Sequence, residues 1–282
     1  AYTTAFGVGG ADDIFGNAGS DLIFGGAAGD EIAAGEGDNI VFGDDGKIDY
    51  VTADGDRSDI DLLESTSTTY AGGADTITSG SGSDLIVGGR YGDGIDAGDG
   101  NNLVIGDSGR ITAAAANAPQ LAGIPMTLGR IETVEFGDGG IDTITTLGGY
   151  DIVLGGHDGD LVDTGNGNNI VIGDDGVIDY VTADGDPNDL DLIESTSTTQ
   201  HGGVDHIFSG SGSDLIVGGR FGDEIDAGDG NNLVIGDSGR VVAAVSDAVQ
   251  QLAGIPMTLG RIESVEFGDG GIDTITTLGG YD

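Results

Sequence analysis

The chain is 282 residues long, with 58 glycines and no cysteine, and its 50 acidic residues outnumber 8 basic ones for a formal charge of −42. This balance excludes nucleic acid and unaided binding to an anionic membrane surface, and it makes a compact state self-repulsive until counter-ions neutralise it. Aliphatic residues are too plentiful and too regular for a disordered acidic chain, so a multivalent cation is the partner that the composition requires. Lack of cysteine removes disulfides and thiolate metal sites. The opening AYTTAFGVGG has neither the basic start nor the apolar core of a signal peptide, and no transmembrane run follows, so direct membrane insertion is not expected.

In chain order, the first elements are four units of nine residues: GVGGADDIF (7–15), GNAGSDLIF (16–24), GGAAGDEIA (25–33) and AGEGDNIVF (34–42). Each reads as a six-residue glycine-rich turn and a three-residue strand. The sixth position holds Asp12, Asp21, Asp30 and Asn39, and the eighth holds Ile14, Ile23, Ile32 and Val41. A GDDG turn (43–46) adds Asp44, and the acidic segment VTADGDRSDIDL (51–62) follows. The set recurs as Asp75, Asp84, Asp93 and Asn102. A GDSG turn (106–109) then adds Asp107, and the next segment is apolar, TAAAANAPQLAGIPMTLG (112–129), with a short helix expected over 112–122. The third set, Asp142, Asp151, Asp160 and Asn169, leads to Asp174, and the fourth, Asp205, Asp214, Asp223 and Asn232, leads to Asp237. A fifth holds Asp273 and Asp282.

Steps of 63 and of 67 or 68 residues separate the sets, giving blocks at about 7–71, 72–136, 137–201, 202–267 and a partial one at 268–282. The blocks pair into a super-repeat of about 130 residues, since DYVTADGDRSDIDLLESTSTT (49–69) returns as DYVTADGDPNDLDLIESTSTT (179–199). The expectation is one continuous solenoid cut from a longer repetitive protein.

Two units close a coil of eighteen residues, and coils stack as parallel strands ~4.8 Å apart, which lays Asp12 over Asp30 and Asp84 over Asn102. Eighth positions then point inward from two sheets and form a thin aliphatic core, while glycine supplies turn conformations closed to residues with a Cβ. Stacked carboxylates and converging carbonyls make an all-oxygen site of about six ligands, which suits Ca2+ over zinc or copper. GGAAGDEIA, GNAGSDLIF and SGSGSDLIV (79–87) resemble the GGxGxDxUx nonapeptide of the RTX, or haemolysin-type calcium-binding, repeats. That resemblance implies an all-β, right-handed parallel β-roll holding several Ca2+ ions in its turns, in proteins exported by type I secretion to the cell surface or beyond. Two departures stand out: the fourth position is Ala28, Tyr91, Asp158 or Phe221 in the third unit of each set, and Asn39, Asn102, Asn169 and Asn232 bring an uncharged oxygen that should hold the ion more weakly.

If every block holds three coils, 9 and 13 or 14 residues are left over, so a loop should protrude every third coil from a rod of about thirteen coils and ~60 Å. The acidic loops offer a further oxygen site, from Asp54, Asp56, Asp59 and Asp61 and again from Asp184, Asp186, Asp189 and Asp191. Strands such as DTIT and DEIA are apolar on one side, whereas DLIF, NIVF, DLIV and NLVI are apolar on both. Leu22, Phe24, Ile40, Phe42, Leu85, Val87, Leu103 and Ile105 would form an exposed stripe that needs a cover. The cover is either the apolar loops or a neighbouring chain, the second giving self-association.

Catalysis finds no support in the sequence: His157, His201 and His206 are the only histidines, none recurs at an equivalent position, and no nucleophile signature accompanies them. The expectation is therefore not an enzyme. One functional reading is a calcium-rigidified structural repeat of a large secreted or cell-surface bacterial protein, such as an adhesin, surface layer or extracellular filament. The other is the calcium-triggered folding and secretion domain of a type I-exported toxin or enzyme.

Overall fold

The computed structural model of the chain describes residues 9–53, 55–67, 71–116, 119–134, 137, 139–197, 201–244, 252–265, 268 and 270–282. Among the described residues every element is a strand, and the strands form three sheets. The first sheet is parallel. In spatial order it takes Asp13–Phe15, Glu31–Gly35, Thr76–Ser79, Gly94–Asp99, Thr143–Gly149, Leu161–Asp163, His206–Phe208, Glu224–Asp226 and Thr274–Thr276, with Asn166–Gly167 beside the fifth. The second, also parallel, takes Leu22–Phe24, Ile40–Phe42, Leu85–Gly89, Leu103–Asp107, Ile152–Gly156, Ile170–Asp174, Leu215–Gly219 and Leu233–Asp237. The chain alternates between them, one strand in each, which is the arrangement of a β-roll.

The register follows the eighth positions. Ile14 pairs with Ile32 and Ile32 with Ile77 in the first sheet, and Ile23 pairs with Val41 and Val41 with Ile86 in the second. These side chains meet between the sheets in a thin core, filled out by Ala34, Ala97 and Ala227. Spacing along the ladder departs from expectation. Stacked residues lie 18 apart within a block but 45 to 50 apart between blocks. Each block therefore contributes two coils and not three, and the nine stacked strands of the first sheet make a roll of ~40 Å rather than ~60 Å.

The residues missing from the roll build the third sheet. It is antiparallel, in the order Leu259–Ser264, Gly239–Ala243, Leu192–Ser195, Gly176–Asp179, Leu128–Thr133, Gly109–Ala113, Leu62–Ser65 and Gly46–Asp49. After Phe42 the chain turns through 43–46, runs out along Gly46–Asp49, returns along Leu62–Ser65 and rejoins the roll before Thr76. The segments expected to protrude are thus hairpins laid on the roll, with only their tips outside. No helix forms among the described residues of 112–122; Leu121 is instead buried with Ile124 and Met126 at the side of the third sheet. Successive hairpin tips also bond to each other, Ile60 N–H donating to Pro125 O at 2.7 Å and Leu190 N–H to Pro256 O at 2.7 Å.

This sheet covers the apolar stripe. Ile48, Leu63, Ile111, Ile131, Ile178 and Ile193 from the third sheet pack against Ile40, Phe42, Leu85, Val87, Leu103 and Ile105 of the second in one buried cluster. Of the two proposed covers the chain itself is the one observed, through the strands that flank the acidic as well as the apolar segments, and the face is less closed at its two end strands, where Leu22 is 42% exposed and Phe24, Leu233 and Ile235 are half-buried. The final glycine of GDSG allows the close start: a Cβ on Gly109 would meet Ile105 Cδ1 at 2.5 Å. Outward, the third sheet gathers the scarce cations into pairs, with Arg110 2.5 Å from Glu64 and Arg130 3.2 Å from Asp179.

A second core of this size predicts that it, and not the roll interior alone, sets stability. Leu103→Ala or Ile131→Ala, each removing a side chain that is fully buried, should cost about 2–5 kcal/mol. Leu161→Ala, on the open face of the first sheet and 42% exposed, should cost about 0.5 kcal/mol or less. Urea denaturation in saturating Ca2+ measures both.

Candidate metal centre

The roll has two edges, one where the chain passes from the second sheet to the first and one where it returns. The sixth-position residues line these edges as two ladders. Asp12, Asp30, Asp75, Asp93, Asp142, Asp160, Asp205, Asp223 and Asp273 stack along the first edge. Asp21, Asn39, Asp84, Asn102, Asp151, Asn169, Asp214, Asn232 and Asp282 stack along the second. In both, the backbone N–H of each member donates to Oδ1 of the next: Asp12 to Asp30 at 2.7 Å, Asp75 to Asp93 at 2.7 Å, Asn39 to Asp84 at 2.8 Å and Asp84 to Asn102 at 3.0 Å. All eighteen of these predicted residues are thereby brought into register.

On the first edge the other carboxylate oxygen has no partner. Oδ2 of Asp30, Asp75, Asp93, Asp142, Asp160, Asp205 and Asp223 is buried without a hydrogen bond. Beside each lies a glycine, Gly25, Gly43, Gly88, Gly106, Gly155, Gly173 or Gly218, where a Cβ would overlap both that oxygen and a glycine carbonyl oxygen of the next coil. Each turn thus holds a small space bounded by acceptors alone, an arrangement that is costly without a positive partner. Burial pushes these carboxyls up: Asp75 to about 8 and Asp223 to about 7, with Asp93, Asp142, Asp160 and Asp205 well above the ordinary range. Neighbouring carboxylates add to the rise, Asp44 and Asp30 at Asp75 and Asp142 at Asp93. An oxygen-only donor set of this kind fits Ca2+, with the Asp Oδ2 atoms and glycine carbonyls as its holders.

Asp44, Asp107, Asp174 and Asp237 belong to neither ladder. Each stands in the turn where the chain leaves the roll for a hairpin. Asp44 Oδ1 accepts Gly73 N–H at 3.1 Å and its Oδ2 accepts Arg90 N–H at 2.7 Å. Asp174 accepts Gly203 N–H at 2.9 Å and Arg220 N–H, and Asp107 accepts His157 N–H. Asp237 lies against Gly270. These carboxylates tie the neck of each hairpin to the following coils. Burial raises Asp44 to about 7 and Asp174 to about 8.

Two residues that had no role in the sequence reading act at the same necks. Arg90 and Arg220 are buried, and their Nη1 atoms donate to Ser67 O at 2.7 Å and Ser197 O at 2.9 Å, pinning the returning hairpin strand. Their recurrence at the same point of the super-repeat was the available signal. His157 holds the intervening position and packs its ring edge-on against His201 at 4.5 Å. In the second acidic loop, Asp184, Asp189 and Asp191 converge, with ligand atoms within 4.8 Å of one another, while Asp186 turns to its own loop and accepts Asn188 N–H at 3.1 Å. In the first copy Asp54 lies outside the described residues, and Asp61 accepts Ala53 N–H at 2.9 Å. The fourth-position departures Ala28, Tyr91, Asp158 and Phe221 all adopt left-handed backbone, φ 69–75°.

The model of the RTX calcium-binding nonapeptide repeat (4 copies) matches residues 6–41, 24–47, 71–90, 78–110 and 202–241. Over these residues the chain carries RTX calcium-binding nonapeptide repeats, and the same stacking of aspartates continues through the unmatched coils around Asp142 and Asp160. No curated protein and no solved structure matches the chain. No helix long and apolar enough to cross a membrane occurs among the described residues.

The raised carboxyls set a pH dependence with a definite sign. A group whose folded value is raised contributes stability that is fully present below its unfolded value, near 3.8, and lost as pH rises through the folded value, here about 7 to 8. Without metal, therefore, the roll should gain structure as pH falls from 8 towards 4, and Ca2+ should remove that dependence. Strand circular dichroism in EGTA across this range tests it; a metal-free chain that is most ordered at pH 8 would contradict the assignment. Titration at pH 7 should also release protons, read as a binding enthalpy that varies with buffer ionisation heat.

Proposed function

We propose that the chain is a calcium-dependent structural repeat of a large secreted or cell-surface bacterial protein, an adhesin, surface layer or extracellular filament, that it is folded and stiffened by Ca2+, and that it carries no catalysis of its own. The row of partnerless Oδ2 atoms along the first edge carries this reading. With a formal charge of −42, the chain repels itself at low calcium and stays extended, a state suited to export. At millimolar Ca2+ the ladder is neutralised, and binding free energy becomes folding free energy.

The third sheet favours a structural part over a folding appendage of an exported toxin or enzyme. It doubles the number of cores, makes each block three layers thick, and links one block to the next through strand pairs such as Arg130 with Asp179 and Ile131 with Ile178. A slab built in this way resists bending between blocks, which a short secretion signal does not require.

Sedimentation velocity in Ca2+, in EGTA and in Mg2+ at equal ionic strength tests the proposal. Ca2+ alone should convert a slow, expanded species into a compact one, and the compact form should stay monomeric because its apolar stripe is covered. Equal compaction in EGTA, or by Mg2+, would sink the reading.

A further inference from the structure

The two edges of the roll are built from different chemistry. Where no hairpin interrupts the turn, its first position, five residues before the ladder residue, is glycine on the first edge (Gly25, Gly88, Gly155 and Gly218), and where a hairpin interrupts it Gly43, Gly106 and Gly173 stand against the carboxylate instead; on the second edge the position holds Ala34, Ser79, Ala97, Thr146, Thr164, Ser209 and Ala227. A Cβ at the first-edge glycines would fill the space between carboxylate and carbonyl oxygens. On the second edge that side chain is present and reaches the carboxylate: Thr146 Oγ1 donates to Asp151 Oδ2 at 2.9 Å, and Ser209 Oγ to Asp214 Oδ2 at 3.0 Å.

Where the second ladder has no Asp, an amide takes over. Asn39 Oδ1 accepts Asp21 N–H at 3.0 Å, which fixes Nδ2 in the place that Oδ2 holds in an aspartate. Asn39 Nδ2 then donates to Gly37 O at 2.8 Å, to Gly35 O at 3.2 Å and to Ser79 Oγ at 3.2 Å. Asn102 Nδ2 donates to Gly98 O at 3.3 Å and Gly100 O at 3.4 Å, and Asn232 Nδ2 to Ala227 O at 3.0 Å. Turn carbonyls that face bare acceptors on the first edge are met here by neutral N–H groups. Two further staples are neutral, Ser213 N–H to Asn168 Oδ1 at 2.9 Å and Tyr150 N–H to Asn101 Oδ1 at 2.8 Å, while Ser83 N–H donates to the Asp38 carboxylate at 2.9 Å. Two interior positions are incomplete, since Asp84 Oδ2 and Asn169 Nδ2 have no hydrogen bond. The turn at Gly16, with glycine first, leaves Asp21 Oδ2 bare, as on the first edge.

We propose that from Asn39 onward the second edge closes without a metal ion, its asparagine amides and turn hydroxyls standing where the first edge holds Ca2+. Beyond the turn at Asp21, calcium then lines one edge of the roll only. This refines the proposed function and rests on it, and it departs from the expectation that both ladders bind the ion.

Equilibrium dialysis of the full 282-residue chain against saturating Ca2+ decides it. The expected content is about eight ions, one for each of the seven orphaned first-edge oxygens and one at Asp21. Asp160→Asn should lower the content, and Asp151→Asn should leave it unchanged. Ala97→Gly combined with Asn102→Asp should raise it, because it opens the space and restores the charge; this variant keeps the test alive if Asp160→Asn fails to fold. About twice the expected number of ions, or an equal loss in Asp151→Asn and Asp160→Asn, overturns the one-edge proposal while leaving the calcium reading intact. No bound calcium at all overturns both.

Discussion

Everything in this molecule hangs on how one aspartate meets the next. Each carboxylate spends Oδ1 on the N–H of the coil before it, Asp30 on Asp12 and Asp93 on Asp75, both at 2.7 Å, and is left with Oδ2 buried among carbonyl oxygens. The first contact sets the coil spacing and keeps each strand in register with its neighbour. The second leaves an electrostatic debt that no side chain on the first edge settles, and burial accordingly holds Asp75 and Asp223 protonated up to about 8 and about 7. Folding and cation uptake are coupled at this one atom type, because the same burial that builds the ladder makes the bare carboxylate untenable.

The hairpins show how a thin repeat acquires bulk. A nonapeptide roll alone buries one aliphatic side chain per strand between its sheets, the row from Ile23 and Ile32 to Ile216 and Ile225. By interrupting a turn between Asp44 and Asp75, the chain inserts two antiparallel strands without disturbing the stacking, since Asp30 still donates to Asp75 at 2.7 Å across the insertion. The inserted strands convert the outer face of the second sheet from a liability into a second core. The necks are held by Asp44 and Arg90, and by Asp174 and Arg220, so the third sheet is anchored at the edge where the bare carboxylates lie.

Much of this was legible in the residues. The nine-residue period fixes which Asp stack and which Ile point inward, and the doubly apolar DLIV and NLVI strands announce a covered face. What stayed hidden depends on contacts distant in sequence. GDDG and GDSG imitate the opening of another coil, and only the pairing of Gly46–Asp49 with Leu62–Ser65 reveals a departure from the roll. The burial of Arg90 depends on Ser67 O, a partner 23 residues away. The difference between the edges was written in the first turn position, glycine against Ala34, Thr146 or Ser209, but it has no meaning until the distance from Thr146 Oγ1 to Asp151 Oδ2 is known.

The strands of the roll run across its long axis, with coils stacked at ~4.8 Å. Tension applied along that axis therefore loads the stack one coil at a time, as in unzipping, and does not shear many hydrogen bonds together. A coil of eighteen residues released in this way lengthens from ~4.8 Å to ~60 Å of extended chain, more than tenfold. The pleated hairpins interrupt this peeling at every second coil, because the coil cannot leave until its strands have been stripped from the third sheet. Under such a load, length would be released in steps whose size is set by the block, two coils together with the hairpin that covers them.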